Sequence, residues 1–354
     1  MARRMHSGIV NGSHWQSQMM NDFASLIRFS ERVGNDPLRA PGTSGNTSVK
    51  TDKIVWVKSS GKALRNSACE ETFVPVDLAS VFDALPSGLE PLPCGNYPTN
   101  LRPSIETWTH AFLPQKVVVH LHAVNTVAWS LHAAGESELR ERLHGLRWAW
   151  IPYTLSGRDL GREVLTAARS EPDVLVLANH GLVVAAPGFP QAEALLEEVE
   201  RRLQLLPRAG RHADIGALQS RIDAPGWQVP VSRRLHGLGT DPASFQRAMG
   251  GDLYPCHVLY LKDRTGILGG GMTVSSAAER HEAVAGCKPL ILLSLSEGVL
   301  IHRDLDSEAQ EHLVFLSEVL ARIEPDIPLR RLTREQIGAL TSLASGLLAD
   351  TVSS

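Results

Sequence analysis

One apolar run, KVVVHLHAV at residues 116–124, constrains this chain more than any other stretch. Its β-branched residues favour an extended backbone, and successive side chains of a strand face opposite ways. His120 and His122 therefore share one face, while Val117, Val119 and Leu121 share the other. Two imidazoles on one rigid face supply two of the three protein ligands that a catalytic zinc ion takes. A third is available in LANHGLVV, where an apolar run ends at Asn179, His180 and Gly181. Glu106 stands a short way upstream of the pair, in RPSIET.

The 354 residues allow a large core, and at about 100–200 residues per domain they predict two domains. The polar Pro- and Gly-containing stretch at 207–226 reads as the linker, giving domains at 1–210 and 211–354. A net charge of -3 with scattered Lys and Arg argues against a nucleic-acid surface. The basic N-terminal stretch lacks the apolar core of a signal peptide, and no apolar run reaches the roughly 18 residues of a membrane helix. Cys69, Cys94, Cys256 and Cys287 form no C-x-x-C, so they are read as packing residues of a cytoplasmic, reduced protein.

The pattern predicts a helix over 15–33, a β-hairpin around TSVK and KIVWVK, a helix over 78–85 and a Pro-rich loop over 86–103. A helix over 104–112 with Ser104 as its N-cap then precedes the histidine strand. Further on come a polar helix over 138–146, a turn at 151–160, a strand pair broken at 179–181 and a helix over 192–206. Residues 172–206 align without gaps on 289–323, with Gly181 on Gly298 and His180 on Glu297. Upstream, LPQKVVVHLH lies beside YPCHVLYLKD, which sets Leu261 and Asp263 opposite His120 and His122. The C-terminal third is thus read as a shortened copy without the histidines, the alternative being a chance match of two strand–turn–helix units.

A metal that polarises a substrate carbonyl acidifies the neighbouring C–H, and a carboxylate placed as Glu106 can move that proton. Turns at Gly45–Asn46–Thr47, at Ser59–Ser60–Gly61 and at Ser104 offer backbone N–H, hydroxyl and amide donors for an anion, and Lys62 adds a charge. Gly269, Gly270 and Gly271 lack phosphate-loop spacing and are read as a flexible loop.

The ordered set GNTS at 45–48, SSGK at 59–62, PSIE at 103–106, HLH at 120–122, IPY with Gly157, and NHG at 179–181 resembles the class II aldolase and adducin family. The form RPSIET is most similar to the aldolase half of long rhamnulose-phosphate aldolase-like proteins, and no dehydrogenase half is read here. The resemblance implies a three-layer α/β/α domain with a central, mainly antiparallel sheet, followed by a smaller C-terminal α/β domain. It implies a divalent metal, zinc first and manganese or iron as alternatives, on His120, His122 and His180, with Glu106 as acid/base. In such aldolases the metal stabilises an enediolate, and groups matching Asn46, Ser60, Gly61 and Ser104 hold the phosphate of a sugar or sugar acid. Ile105 departs from the Ser-Ser-Glu form of the smaller sugar-phosphate aldolases. Tyr153 matches a family position and is read as a packing residue. The resemblance further implies a homotetramer, and the charge and hydropathy read above predict no nucleic-acid or membrane partner. Retro-aldol cleavage is the leading expectation. A 4-epimerase, decarboxylase or dehydratase uses the same kind of site, and a metal-free adducin-like binding module is the alternative outside enzymes.

Overall fold

The computed structural model describes residues 8–87, 89–95, 97 and 99–352. The expectation for the first residues of the chain, 1–7, lies outside these. The chain divides into two compact units, bounded by Met1–Leu121, Leu146–Leu175 and Val183–Val199 for one and by His122–Gly145, Val176–Leu182 and Glu200–Ser354 for the other.

The larger sheet has seven strands: β1 (Asn46–Lys50), β2 (Ile54–Lys58), β3 (Phe73–Asp77), β4 (Val117–Leu121), β5 (Trp148–Ile151), β6 (Val174–Leu177) and β7 (Gly181–Ala186), in the order β3-β2-β1-β4-β7-β6-β5. β1 runs antiparallel to both β2 and β4, and β2 antiparallel to β3. The β1–β4 register sets Asn46 opposite His120. Every residue of β4 is buried. That is the reason for its run of valines: a strand between two neighbours and covered on both faces needs apolar side chains on each. β3 sits at the sheet edge, where Pro75 costs no ladder bond on the open side; that proline hides the strand from a reading of the sequence.

Helices supply apolar stripes at helical spacing. Helix Gly8–Gly34 buries Leu26, Phe29 and Val33, and helix Phe189–Leu203 buries Ala192, Leu196, Val199 and Leu203. Each fully buried large side chain contributes about 1.5–3 kcal/mol over exposure. The helix expected to start at Ser104 instead covers Thr107–Phe112, with Glu106 at its cap position and no side-chain cap bond. Ser104 is held in the turn before it: its carbonyl accepts from Thr107 N and its Oγ from Glu106 N.

The second unit contains a four-stranded sheet of β8 (Trp227–Gln228), β9 (Thr265–Ile267), β10 (Ile291–Ser294) and β11 (Gly298–His302), in the order β8-β11-β10-β9. β10 is antiparallel to β11 and parallel to β9. Leu218, Leu268, Val274, Leu292 and Leu300 form a core there. The segment aligned with the histidine strand is not extended: Pro255–Tyr260 is a helix. Proline at a first helical turn loses no hydrogen bond and has a suitable fixed φ, so Pro255 starts a helix well.

A longer correspondence exists in the element order. Helices Val124–Leu131 and Gly135–Arg142, strand β5, helix Arg158–Ala167, strands β6 and β7 and helix Phe189–Leu203 come first. Helices Pro242–Met249 and Pro255–Tyr260, strand β9, helix Val274–Ala285, strands β10 and β11 and helix Ser307–Ala321 repeat that order at nearly constant spacing. The spacing sets Gly237-Leu238-Gly239 opposite His120-Leu121-His122, although Gly237–Thr240 is a short helix and not a strand. Among the described residues no helix is long and apolar enough to cross a membrane.

Candidate metal and acid–base site

His120 lies within β4, His122 just beyond its end, and His180 in the turn joining β6 to β7. They are 1%, 8% and 5% exposed. One ring nitrogen from each falls within 4.8 Å of the others, and no other metal-type cluster of His, Cys, Asp and Glu occurs among the described residues. The His122 and His180 rings meet edge to face with centroids 5.0 Å apart. Backbone geometry fixes this grouping. Gly45, at φ +77°, packs so closely on β4 that a Cβ there would lie 3.0 Å from the His120 carbonyl oxygen. The turn before His180 is closed by His180 N donating to Leu177 O at 3.1 Å, with Asn179 at φ +54°. Asparagine tolerates that left-handed conformation better than most residues, which accounts for the Asn-His-Gly sequence.

Glu106 is 6% exposed and points inward. Its Oε2 accepts from Asn46 Nδ2 at 2.7 Å and stands 3.3 Å from His120 Nε2, while its Oε1 accepts from Ser156 Oγ at 3.2 Å. A buried carboxylate held on both oxygens is fixed in direction, as a proton-transfer group must be. Ser156 escapes a reading of the sequence; its only signal there is its place beside Gly157 in a Ser-Gly turn.

The candidate anion-binding residues come together through short contacts. Ser59 forms a bridge with Pro103, Ser60 N donates to Arg102 O at 3.0 Å, and Ser104 N donates to Lys58 O at 3.0 Å. Ser60 and Gly61 are exposed, whereas Ser104 is buried next to Glu106. Asn46 joins this group at the carboxylate, to which it donates. Lys62 is paired with Glu70 at 2.6 Å, so its charge is already matched.

Two buried titratable groups lie in the same unit as Glu106. His110 shares a hydrogen bond of 2.8 Å with Ser48 Oγ, and burial, followed by the neighbouring His120, pushes its pKa down to about 3, leaving it neutral. Lys50 donates to the carbonyls of Leu113 and Gln115, and burial lowers it to about 7. Two more residues escape a reading of the sequence. Cys256 Sγ is 3.5 Å from His122 Nδ1, and Leu253 O accepts from Asn179 Nδ2 at 2.8 Å.

Three buried histidines fit a divalent ion. Ring nitrogens this close together, all buried, are the donor set that a catalytic zinc ion takes from protein. Imidazole also suits manganese and iron less selectively.

The sequence profile of a family described as "Class II Aldolase and Adducin N-terminal domain" matches residues 26–206. The protein is 27% identical over 223 residues to the "Uncharacterized oxidoreductase YuxG" of Bacillus subtilis (strain 168), a match covering 56% of this chain and 32% of that protein. The chain thus spans about a third of the length of that relative. Similar solved structures include the N-terminal class II aldolase domain of a conserved protein from Thermoplasma acidophilum, with TM-score 0.44 and 23% identity, covering 57% of this chain and 95% of that one. Another is the L-fuculose-1-phosphate aldolase from Thermus thermophilus, with TM-score 0.38 and 19% identity, covering 51% of this chain and 90% of that one.

Proposed function

The chain belongs to the class II aldolase and adducin N-terminal domain family, and from that premise we propose that it is a metal-dependent lyase. The reaction is retro-aldol cleavage of a carbon–carbon bond in a hydroxylated, phosphorylated sugar or sugar acid. One observation carries this reading: a buried Glu106, braced on both oxygens, stands 3.3 Å from a member of a three-histidine cluster.

His120, His122 and His180 would hold a divalent ion, zinc by preference, which when bound supplies Lewis-acid polarisation of a substrate carbonyl. The chain's own groups do the rest. In cleavage, the hydroxyl on the far side of the breaking bond gives up its proton as its oxygen becomes the aldehyde carbonyl, the bond's electrons settle on the carbon beside the polarised carbonyl, and the Glu106 carboxylate, having taken up a proton, delivers one to that carbon, so that no net proton is gained or lost. In synthesis Glu106 removes it again, and Asn46 and Ser156 keep the carboxylate aimed throughout. Ser60, Gly61 and Ser104, with Asn46, are the proposed phosphate-binding groups. Catalysis is assigned to residues 1–210, with 211–354 a degenerate α/β copy lacking the ligands, in a cytoplasmic homotetramer.

The test is product analysis after incubating protein made without a histidine tag with a panel of phosphorylated and free sugars and sugar acids. Cleavage into an aldehyde and a hydroxy-ketone or keto-acid fragment is expected, and H122A should abolish it together with metal binding. A product inverted at one carbon, dehydrated, or short by carbon dioxide would assign the epimerase, dehydratase or decarboxylase reaction instead. Metal bound without turnover of any substrate would contradict the lyase reading.

A further inference from the structure

Two of the three histidines are supported from segments outside the matched residues 26–206. Asn179, immediately before His180, is fully buried and donates through Nδ2 to Leu253 O at 2.8 Å and to Arg330 O at 2.9 Å. Both amide hydrogens are thereby used on carbonyls far away in sequence. Those carbonyls are themselves anchored. Arg330 N donates to Leu131 O at 2.7 Å, Leu332 N to Asp252 O at 3.0 Å, and Leu253 N to His257 Nδ1 at 3.3 Å. The bracing segment is buried at Leu253, Tyr254, Cys256 and His257. From it Cys256 Sγ reaches His122 Nδ1 at 3.5 Å.

We propose that Asn179 and Cys256 are positioning residues that preset His180 and His122 for the metal, using the C-terminal segments around residues 253–256 and 330 as a brace. The inference rests on the metal reading of the histidine cluster. Its physical content is twofold. The bidentate amide locks a turn whose left-handed residue would otherwise cost conformational freedom, and so fixes the backbone from which His180 projects. Sulfur accepting the Nδ1–H of His122 selects the tautomer whose Nε2 lone pair is available to an ion. Such outer partners of metal-ligating histidines typically tune metal affinity by about 10–100-fold. The corresponding turn between β10 and β11 has Ser296 at the same place, at φ +73°, and a serine cannot make the two-carbonyl bridge. That turn carries no histidine.

The experiment measures Zn2+ dissociation constants by chelator competition on the full-length chain, wild type beside N179G, C256A and C256S, with circular dichroism confirming that each is folded. N179G keeps the left-handed backbone accessible and removes only the amide bridge. We expect it to weaken Zn2+ binding about 10–100-fold, and C256A about 10-fold. C256S, whose hydroxyl can still accept from Nδ1, should recover part of the C256A loss. Folded variants that bind Zn2+ within twofold of wild type would overturn the proposal while leaving the metal site intact. Wild type that binds no Zn2+ would overturn the metal reading itself and the brace with it. Co2+-loaded wild type showing an intense near-ultraviolet thiolate band, absent in C256A, would make Cys256 a ligand and overturn its positioning role.

Discussion

The hairpins β6–β7 and β10–β11 share a turn and differ in what it holds. In the first, His180 N donates to Leu177 O and Asn179 is left-handed; in the second, Glu297 N donates to Ser294 O and Ser296 is left-handed. Both are followed by long helices, Phe189–Leu203 and Ser307–Ala321. Yet His180 joins two other histidines, whereas Glu297 is paired with Arg221 and accepts from Ser294 Oγ at 2.8 Å. The opposing segment differs too. At the matching distance in sequence, His120-Leu121-His122 stands before the first hairpin and Gly237-Leu238-Gly239, the start of a short helix, before the second, with both leucines buried. A Cβ on Gly239 would lie 2.2 Å from Gly298 O, and Ser296 N donates to Gly239 O at 2.9 Å. Gly239 thus packs directly on the β10–β11 turn, where a side chain has no room. The two turns share a backbone form and differ in the side chains gathered against them: a cluster of histidines that could hold a metal in one, direct backbone packing in the other.

The comparison breaks most readily at Glu106. E106Q preserves the shape of the carboxylate but cannot shuttle a proton; it should retain metal and lose about 10²–10⁴-fold in kcat. An unchanged kcat in steady-state assays would remove Glu106 from the chemistry. On the packed side, G239A should lower stability by about 1–3 kcal/mol through overpacking against backbone. Urea unfolding midpoints would show it, and a midpoint equal to wild type would mean the closed turn is looser than described.

A smaller effect concerns pH. Burial holds His312, stacked on Tyr260 with centroids 4.2 Å apart, down to about 4 against an ordinary 6.5. As pH falls through 6.5 the unfolded chain takes up a proton that the folded chain refuses until about 4, so stability is lost across that window and is level above it. H312F keeps the stacking and removes the proton. The fall in unfolding free energy from pH 6.5 to 4 should therefore be shallower in H312F than in wild type. Identical pH profiles would show that His312 is not held neutral.

How much of this is legible in the sequence follows from range. His-x-His on an apolar strand, Asn-His-Gly at a strand end and a glutamate upstream are local patterns, and the fold gathers them. The antiparallel pairing of β1 with β2 and the stripe of helix Phe189–Leu203 are equally plain. Strand β3 is obscured by Pro75, and the helix expected from Ser104 begins later because Ser104 serves the preceding turn. Alignment sets residues 254–263 beside the histidine strand and element spacing sets 237–239 beside it, but Pro255 opens a helix in the first and Gly237–Thr240 is a short helix in the second, so neither is a strand. Ser156, Cys256 and the carbonyls on Asn179 are invisible because their partners lie far away in sequence and only folding brings them close.

The central claim is that His120, His122 and His180 form one metal site and that Glu297 and its surroundings do not. Metal analysis of tag-free wild type, H180A and E297A by inductively coupled plasma mass spectrometry tests it directly. The account predicts one divalent ion per chain in wild type and E297A and none in H180A. An ion retained by H180A, or absent from wild type, would contradict it.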